Sequence, residues 1–298
     1  MDGRRILYTD AGALRAPWRI VVFTFVTILA LALVEVTLGP VIAFFFRSAG
    51  ILGVTNEEWV FASALLLSTA VCLRYIEKRP WSAVWMGSDA ARPSLLALGF
   101  GLGAFAIGIP TALLILGHWL SNEPSLPGSW WAAMLRVSIV LLPAALFEEL
   151  LTRGYILSAL RDAWGWIWAV VATSVAFGLL HLTNPGATPE SVALVTLAGF
   201  FLAAVLYATN SLYAAWMAHF AWNWTMAAVF HTAVSGLAVE RPNYRYVDAG
   251  PDWATGGQWG PEGGVPAALG MMAGMAFLYS IRRNRSSLTA HRSSQRET

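Results

Sequence analysis

Long apolar runs separated by short polar stretches organise this chain. They cover about 18–46, 58–75, 94–118, 129–150, 165–182, 191–209, 211–234 and 265–281. Most approach or exceed the ~20 residues a helix needs to cross the hydrocarbon core of a bilayer. The runs are continuously apolar rather than alternating, which fits helices and excludes a membrane β-barrel. The pattern predicts an all-α, polytopic transmembrane helical bundle of about eight spans. The first run, from Trp18 to Phe46, exceeds the ~7–15 apolar residues of a signal peptide, and no small-residue cleavage site follows it; an uncleaved first span is predicted. No internal repeat is visible, so a two-halved transporter gains no support. Residues 17–282 read as one membrane-embedded domain between cytoplasmic tails 1–16 and 283–298.

Composition sharpens this picture. Of the residues 57% are hydrophobic and 12% charged, about half the charged share of a soluble domain; mean hydropathy is +0.58. A disordered chain is excluded, and an ordinary soluble enzyme does not fit. Net charge is +2, too small to argue for nucleic acid. The single cysteine, Cys72, rules out an intramolecular disulfide and a cysteine-based metal cluster, and its apolar setting reads as a buried, inert thiol. The arginine-rich, alanine-rich composition points to a prokaryote.

Arginine and lysine then set orientation. They gather in the N-terminal tail (Arg4, Arg5, Arg15, Arg19), after span 2 (Arg74, Lys78, Arg79, Arg92), after span 4 (Arg153, Arg161) and in the C-terminal tail (Arg282, Arg283, Arg285, Arg292, Arg296). Segments 119–128 and 183–190 contain neither. Both termini are predicted in the cytoplasm of a multi-pass inner-membrane protein, with the long loop 235–264 outside, irregular and surface-lying. Tryptophans such as Trp18, Trp59, Trp130 and Trp131 fall at the predicted interfaces, as an aromatic belt does.

A charge at the bilayer centre costs about 2.5–3.5 kcal/mol on insertion scales, so each one within a span calls for a reason. They are Glu35, Arg136, Glu148, Glu149 and, at the inner edge, Arg153. Glu35 and Arg136 are expected to face the bundle interior and find polar partners there, with snorkelling of Arg136 toward the outer interface the equal alternative, since it stands only about seven residues into span 4. Glu149 and Arg153 stand four apart on one helix face and can pair, whereas Glu148 is rotated by ~100° and faces elsewhere. One carboxylate is thus neutralised and the other left free, although a solvated helix end with an ordinary ion pair has the same sequence. Phe177 and His181 share a face one turn apart; a lone histidine near a span end is ordinarily structural. His219 and Asn223 form a second polar i, i+4 pair, inside span 7, where an asparagine also serves helix–helix contact. His231 lies further out and reads as interfacial.

Taken together, Glu148-Glu149 with Arg153, Phe177 with His181, and His219 with Asn223 follow one another on three spans. This set resembles the membrane-embedded proteases related to the type II CAAX prenyl endopeptidases, including the bacterial bacteriocin-processing and immunity-like members. The resemblance covers roughly 140–225 and matches the family's Glu-Glu-x-x-x-Arg, Phe-x-x-x-His and His-x-x-x-Asn/Asp elements without a gap. It implies a polar cavity between spans 4, 5 and 7, open toward the cytoplasm, and an intramembrane endopeptidase acting on a membrane-associated peptide or protein. CAAX processing further implies a prenylated substrate, which nothing else in the sequence indicates.

The residue types suit peptide hydrolysis. Glu148 can serve as general base toward a water, His181 can hold that water or protonate the leaving amine, and His219 with Asn223 can stabilise the oxyanion. Glu149 and Arg153 would fix the base from behind. There is no Gly-x-Ser-x-Gly elbow and no His-Glu-x-x-His zinc motif. Glu148, His181 and His219 also form a two-His, one-Glu set of the kind that holds a divalent metal such as zinc; family members have been read both ways, and metal-independent water activation is preferred. The competing reading is a non-catalytic immunity or scaffold protein that binds a peptide or partner through the same pocket. With straight helices the candidates fall at different depths, so a break is expected, at Pro143 or Gly178.

Overall fold

The computed structural model describes residues 6–10, 12–48 and 56–294, with side chains as far as Arg283. Arg4, Arg5 and Arg296 lie outside the described residues, as do the side chains of Arg285 and Arg292. Of the described residues 77% are helical. The elements, in order, are α1 (Ala16–Thr37), α2 (Gly39–Ser48), α3 (Glu57–Val71) extended by a π turn (Cys72–Glu77), α4 (Pro93–Leu116), β1 (Leu120–Pro124), α5 (Trp130–Glu149), a π turn (Leu150–Gly154), α6 (Tyr155–Leu180), α7 (Pro189–Thr209), α8 (Leu212–Trp224) with a π turn (Thr225–Val229), β2 (Tyr244–Asp248), the single turn α9 (Asp252–Thr255) and α10 (Val265–Ser294).

Among the described residues six helical runs are long and apolar enough to cross a membrane, so this is a multi-pass membrane protein. These candidate runs are fewer than the eight expected spans for two reasons. Expected spans 4 and 5 lie in one 51-residue run, Trp130–Leu180. Expected span 7 is the 13-residue α8 with its short π extension, and α8 alone is shorter than a ~20-residue crossing. The first apolar run also divides, at Leu38, into α1 and α2. The C-terminal segment expected as a tail from residue 283 continues α10 to Ser294.

The run Trp130–Leu180 resolves the depth problem. Residues 151–164, expected as a loop, are helical. The chain reverses instead at Gly165, whose φ of 77° and ψ of 173° suit glycine. Glu148 and His181 each lie about 25 Å along the helix from Gly165, on opposite limbs, and Arg153 and Phe177, each nearer the tip, stack on one another. The break is therefore not at Pro143 or Gly178, both of which lie inside continuous helix. Pro143 removes the N–H that the Ile139 carbonyl would accept; Trp59 Nε1–H donates to that carbonyl instead, at 2.9 Å.

α8 is the centre of the bundle, packed by α4, α5 and α7, with Ala214, Ala215, Ala218 and Ala221 fully buried. Its N-terminus is capped by Ser211, which accepts from Ala214 N at 3.1 Å and donates to Ala90 O at 2.6 Å. α4 lies directly on it: a Cβ at Gly99 would stand 2.1 Å from Ala214 O, and one at Gly103 1.9 Å from Ala218 O. Small residues at such crossings let backbones approach where lipid offers no hydrophobic drive to associate. Gly103→Ala is expected to push α4 off α8 and cost about 1–3 kcal/mol, read as a lowered thermal transition in detergent; an unchanged transition contradicts this packing.

Both described ends lie on one side of the bundle. There Arg19 bridges Glu77 (2.7 Å) and Asp162 (2.9 Å), Arg79 also reaches Asp162 (2.7 Å), and Tyr155 Oη donates to Glu77. Arg282, near the end of α10, donates to Tyr207 O at 2.8 Å, and Tyr207 packs on Trp166 beside Arg161. The opposite side carries the antiparallel pair β1–β2, Leu120 facing Asp248 and Pro124 facing Tyr244. Loop 235–264 is thus more ordered than its composition suggested.

Two expectations fail here. Arg136 does not face the interior: it forms a bidentate pair with Glu240 of the loop (2.5 and 2.6 Å) and remains partly exposed. Glu35 is exposed in the last turn of α1. Each sits close enough to a helix end to reach polar surroundings without a buried partner. His231, expected at the interface, is buried, stacked on Tyr244 with its Nδ1 2.9 Å from Tyr244 O. Cys72 is free and buried.

Candidate active site

The six candidate side chains come together where the hairpin limbs α5 and α6 meet α8. At the back is Glu149, with no exposed surface. Its Oε1 accepts from Arg153 Nη1 at 3.0 Å, an i, i+4 pair across the π turn. Arg153 is equally buried; it also donates to Thr152 Oγ1 (2.8 Å) and Gly199 O (3.1 Å), and its guanidinium lies 4.2 Å from the Phe177 ring centroid. It is therefore enclosed within the bundle rather than at a solvated helix end. Gly199 makes this possible, because a Cβ there would stand 2.9 Å from Ser174 and 3.2 Å from Arg153 Nη2.

Glu149 Oε1 also lies 3.0 Å from His219 Nδ1. A carboxylate only accepts, so this Nδ1 carries the proton. His181 Nδ1 lies 2.8 Å from Phe177 O, and the same reasoning places a proton there. Both imidazoles thus turn Nε2 forward, toward Glu148. Glu148 Oε2 stands 3.8 Å from His219 Nε2 and 3.9 Å from His181 Nε2, and has no hydrogen-bond partner. These separations exceed a direct hydrogen bond and suit one bridging water. With neutral imidazoles, three acceptors converge on one point, an arrangement that calls for a donor such as water. Two carboxylates face one guanidinium in this cluster, so a proton on either imidazole makes it neutral.

Glu148, His181, His219 and Asn223 line one cavity of about 160 Å³. Its walls are Val140, Leu141 and Ala144 of α5 and Val195, Ala198 and Leu202 of α7. Phe177, Phe201, Trp222 and Val234 add further apolar surface, and Glu58 at the start of α3, Asn184, Ser235, Leu237 and Glu262 line it toward the side of the bundle away from the chain ends. The expectation of a cavity opening on the side of the termini does not match this lining. Of these residues, sequence reasoning missed Glu58, Asn184, Trp222, Ser235 and Glu262. Glu262 lies in the loop expected to be irregular and surface-lying, and nothing in its sequence neighbourhood signals burial. Thr152 and Phe177 stood inside quoted motifs without roles; one bonds the guanidinium, and the other stacks on it.

Among the described residues no group of three or more His, Cys, Asp or Glu side chains is placed to hold a metal ion. The orphaned Glu148 oxygen and the two Nε2 atoms are spaced for a water, and the mechanism below uses only these side chains.

Comparison with known proteins gives one match. A family model described as Type II CAAX prenyl endopeptidase Rce1-like matches residues 128–225, the stretch that holds all six candidates. Comparisons with curated proteins and with solved structures give no significant match. The family is one of CAAX proteases, a kind of hydrolase, and over residues 128–225 this chain is similar to the Rce1-like type II CAAX prenyl endopeptidases.

Proposed function

We propose that the protein is an intramembrane endopeptidase that hydrolyses a membrane-associated peptide or protein with water activated by Glu148. The observation that carries this reading is the unpartnered Glu148 Oε2, 3.8 and 3.9 Å from two imidazole Nε2 atoms in one cavity. A water there gives a proton to Glu148 as its oxygen adds to the scissile carbonyl carbon. The oxyanion accepts from Asn223 Nδ2–H and from His219 in its protonated form, when both ring nitrogens are donors. Collapse breaks the C–N bond, and the proton held by Glu148 passes to the leaving amine, directly or through His181. Glu149 holds the His219 ring, and Arg153 offsets its charge.

The test is purified protein in bilayers, given a panel of membrane peptides with and without a chelator and read by mass spectrometry. Cleavage at defined bonds that persists with chelator is expected. Loss of cleavage on chelation would overturn the metal-independent chemistry, and intact peptides throughout would overturn the protease reading.

The arginine bias supports an inner-membrane orientation with the side shared by both described ends facing the cytoplasm. A reporter fused after Arg285 is expected to behave as cytoplasmic and one inserted near Gly256 as external. The reverse pair of results would invert the protein and move the cavity lining to the cytoplasmic side.

A further inference from the structure

Glu262 is a buried cavity-lining carboxylate that, like Glu58 at the start of α3, the proposed chemistry leaves unused. It sits in a short turn, Pro261–Gly263, and is 6% exposed. Its Oε1 accepts from Ser235 N (2.5 Å) and Ser235 Oγ (2.7 Å), and its Oε2 accepts from Trp222 Nε1 (2.8 Å). All three partners are donors, so the carboxylate is held in its ionised, acceptor-only form.

The same bonds reach both sides of the candidate active site. Trp222 immediately precedes Asn223 and lies three residues after His219 on α8. Ser235 O accepts from Asn184 Nδ2 at 3.0 Å, and Asn184 N donates to His181 O at 3.1 Å. The turn Ser235-Gly236 is left-handed at both residues (φ 48° and 78°), and its remaining groups are tied down: Gly236 N donates to Trp259 O at 2.9 Å, and a Cβ on Gly236 would stand 1.9 Å from Pro185 O. An unbroken series of hydrogen bonds therefore runs from the His181 loop through Ser235 and Glu262 to Trp222, roofing the cavity opposite Glu148.

We infer that Glu262 is a positioning residue for the peptidase site, fixing His181 and the His219–Asn223 face of α8 relative to each other through Ser235 and Trp222. This rests on the proteolytic reading. A carboxylate suits the role because three donors converge on it, and glutamine cannot replace it: its amide nitrogen would set a donor against either Trp222 Nε1–H or the Ser235 donors.

The test compares Glu262→Gln, Trp222→Phe and the double variant, each as folded full-length protein in bilayers. Glu262→Gln is expected to lower kcat at least about tenfold with KM changed less than about threefold, since the loss falls on transition-state geometry rather than on binding. Trp222→Phe keeps the ring and removes the donor, and should lose several-fold. The double variant should be no slower than Glu262→Gln alone, because both substitutions cut one connection. A second readout is independent of turnover: in protein carrying ¹⁵N-histidine, Glu262→Gln should shift or broaden the His181 and His219 imidazole signals and leave His118 unchanged. Wild-type kcat in Glu262→Gln, fully additive losses, or unmoved His181 and His219 signals would each overturn the inference. Glu148→Gln runs beside these variants. If it cleaves as fast as wild type, the Glu148-based mechanism has failed, and the histidine signals still decide whether Glu262 positions the cluster.

Discussion

Glu148→Gln is expected to lower cleavage by about 10²–10⁴-fold, the contribution of a positioned general base, while the protein still folds and inserts. Glutamine keeps the size and planarity of the side chain and removes only the capacity to take a proton. The fold does not depend on that capacity, because Glu148 Oε2 has no hydrogen-bond partner and the side chain is 24% exposed. The backbone bond at this residue, from Thr152 Oγ1 to Glu148 O at 2.6 Å, is untouched. The effect should therefore appear in kcat, measured on protein matched for monodispersity and thermal transition. Full biological function in this variant would favour the competing reading of an immunity or scaffold protein, in which the cavity only binds.

Arg153→Met is expected to have the opposite signature, a loss of folded protein. The substitution strands Glu149 as a fully buried charge and removes the donors to Thr152 and to the Gly199 carbonyl. Breaking a buried pair from one side typically costs about 3–5 kcal/mol, a large part of the stability of most domains. Low yield and a collapsed thermal transition are the expected results. The double variant Glu149→Gln with Arg153→Met should recover part of that loss, because no charge is stranded and the glutamine oxygen can still accept from His219 Nδ1. Wild-type stability in Arg153→Met alone would mean that the Glu149–Arg153 pair is not needed to hold this core.

Much of this site was legible in the chain because its elements are local. The spacing of Glu149 and Arg153 on one helix face is a property of helix geometry, and burial only strengthens the pair. The same holds for Phe177 with His181 and His219 with Asn223. What could not be read were features set by tertiary reversal. A single left-handed glycine, Gly165, turns an apparent loop into a helical hairpin and brings Glu148 level with His181. Apolarity does not distinguish a helix that faces lipid from one surrounded by other helices, so the central place of α8 in the bundle could not be read. Arg136 and Glu35 looked buried because a hydropathy pattern carries no information about which face of a helix a charge occupies. Glu262 was hidden for the converse reason: a loop rich in glycine and proline gives no periodicity from which burial can be inferred.

The central claim is that Glu148, His181, His219 and Asn223 together form a hydrolytic centre. The most direct measurement is an experimental structure of the Glu148→Gln variant with an uncleaved substrate peptide bound. The account predicts the scissile carbonyl carbon within about 3–3.5 Å of a water held between residue 148 and the two Nε2 atoms, with the carbonyl oxygen turned toward His219 and Asn223. A peptide seated elsewhere, or one crossing the cavity with no carbonyl presented to these groups, would contradict it.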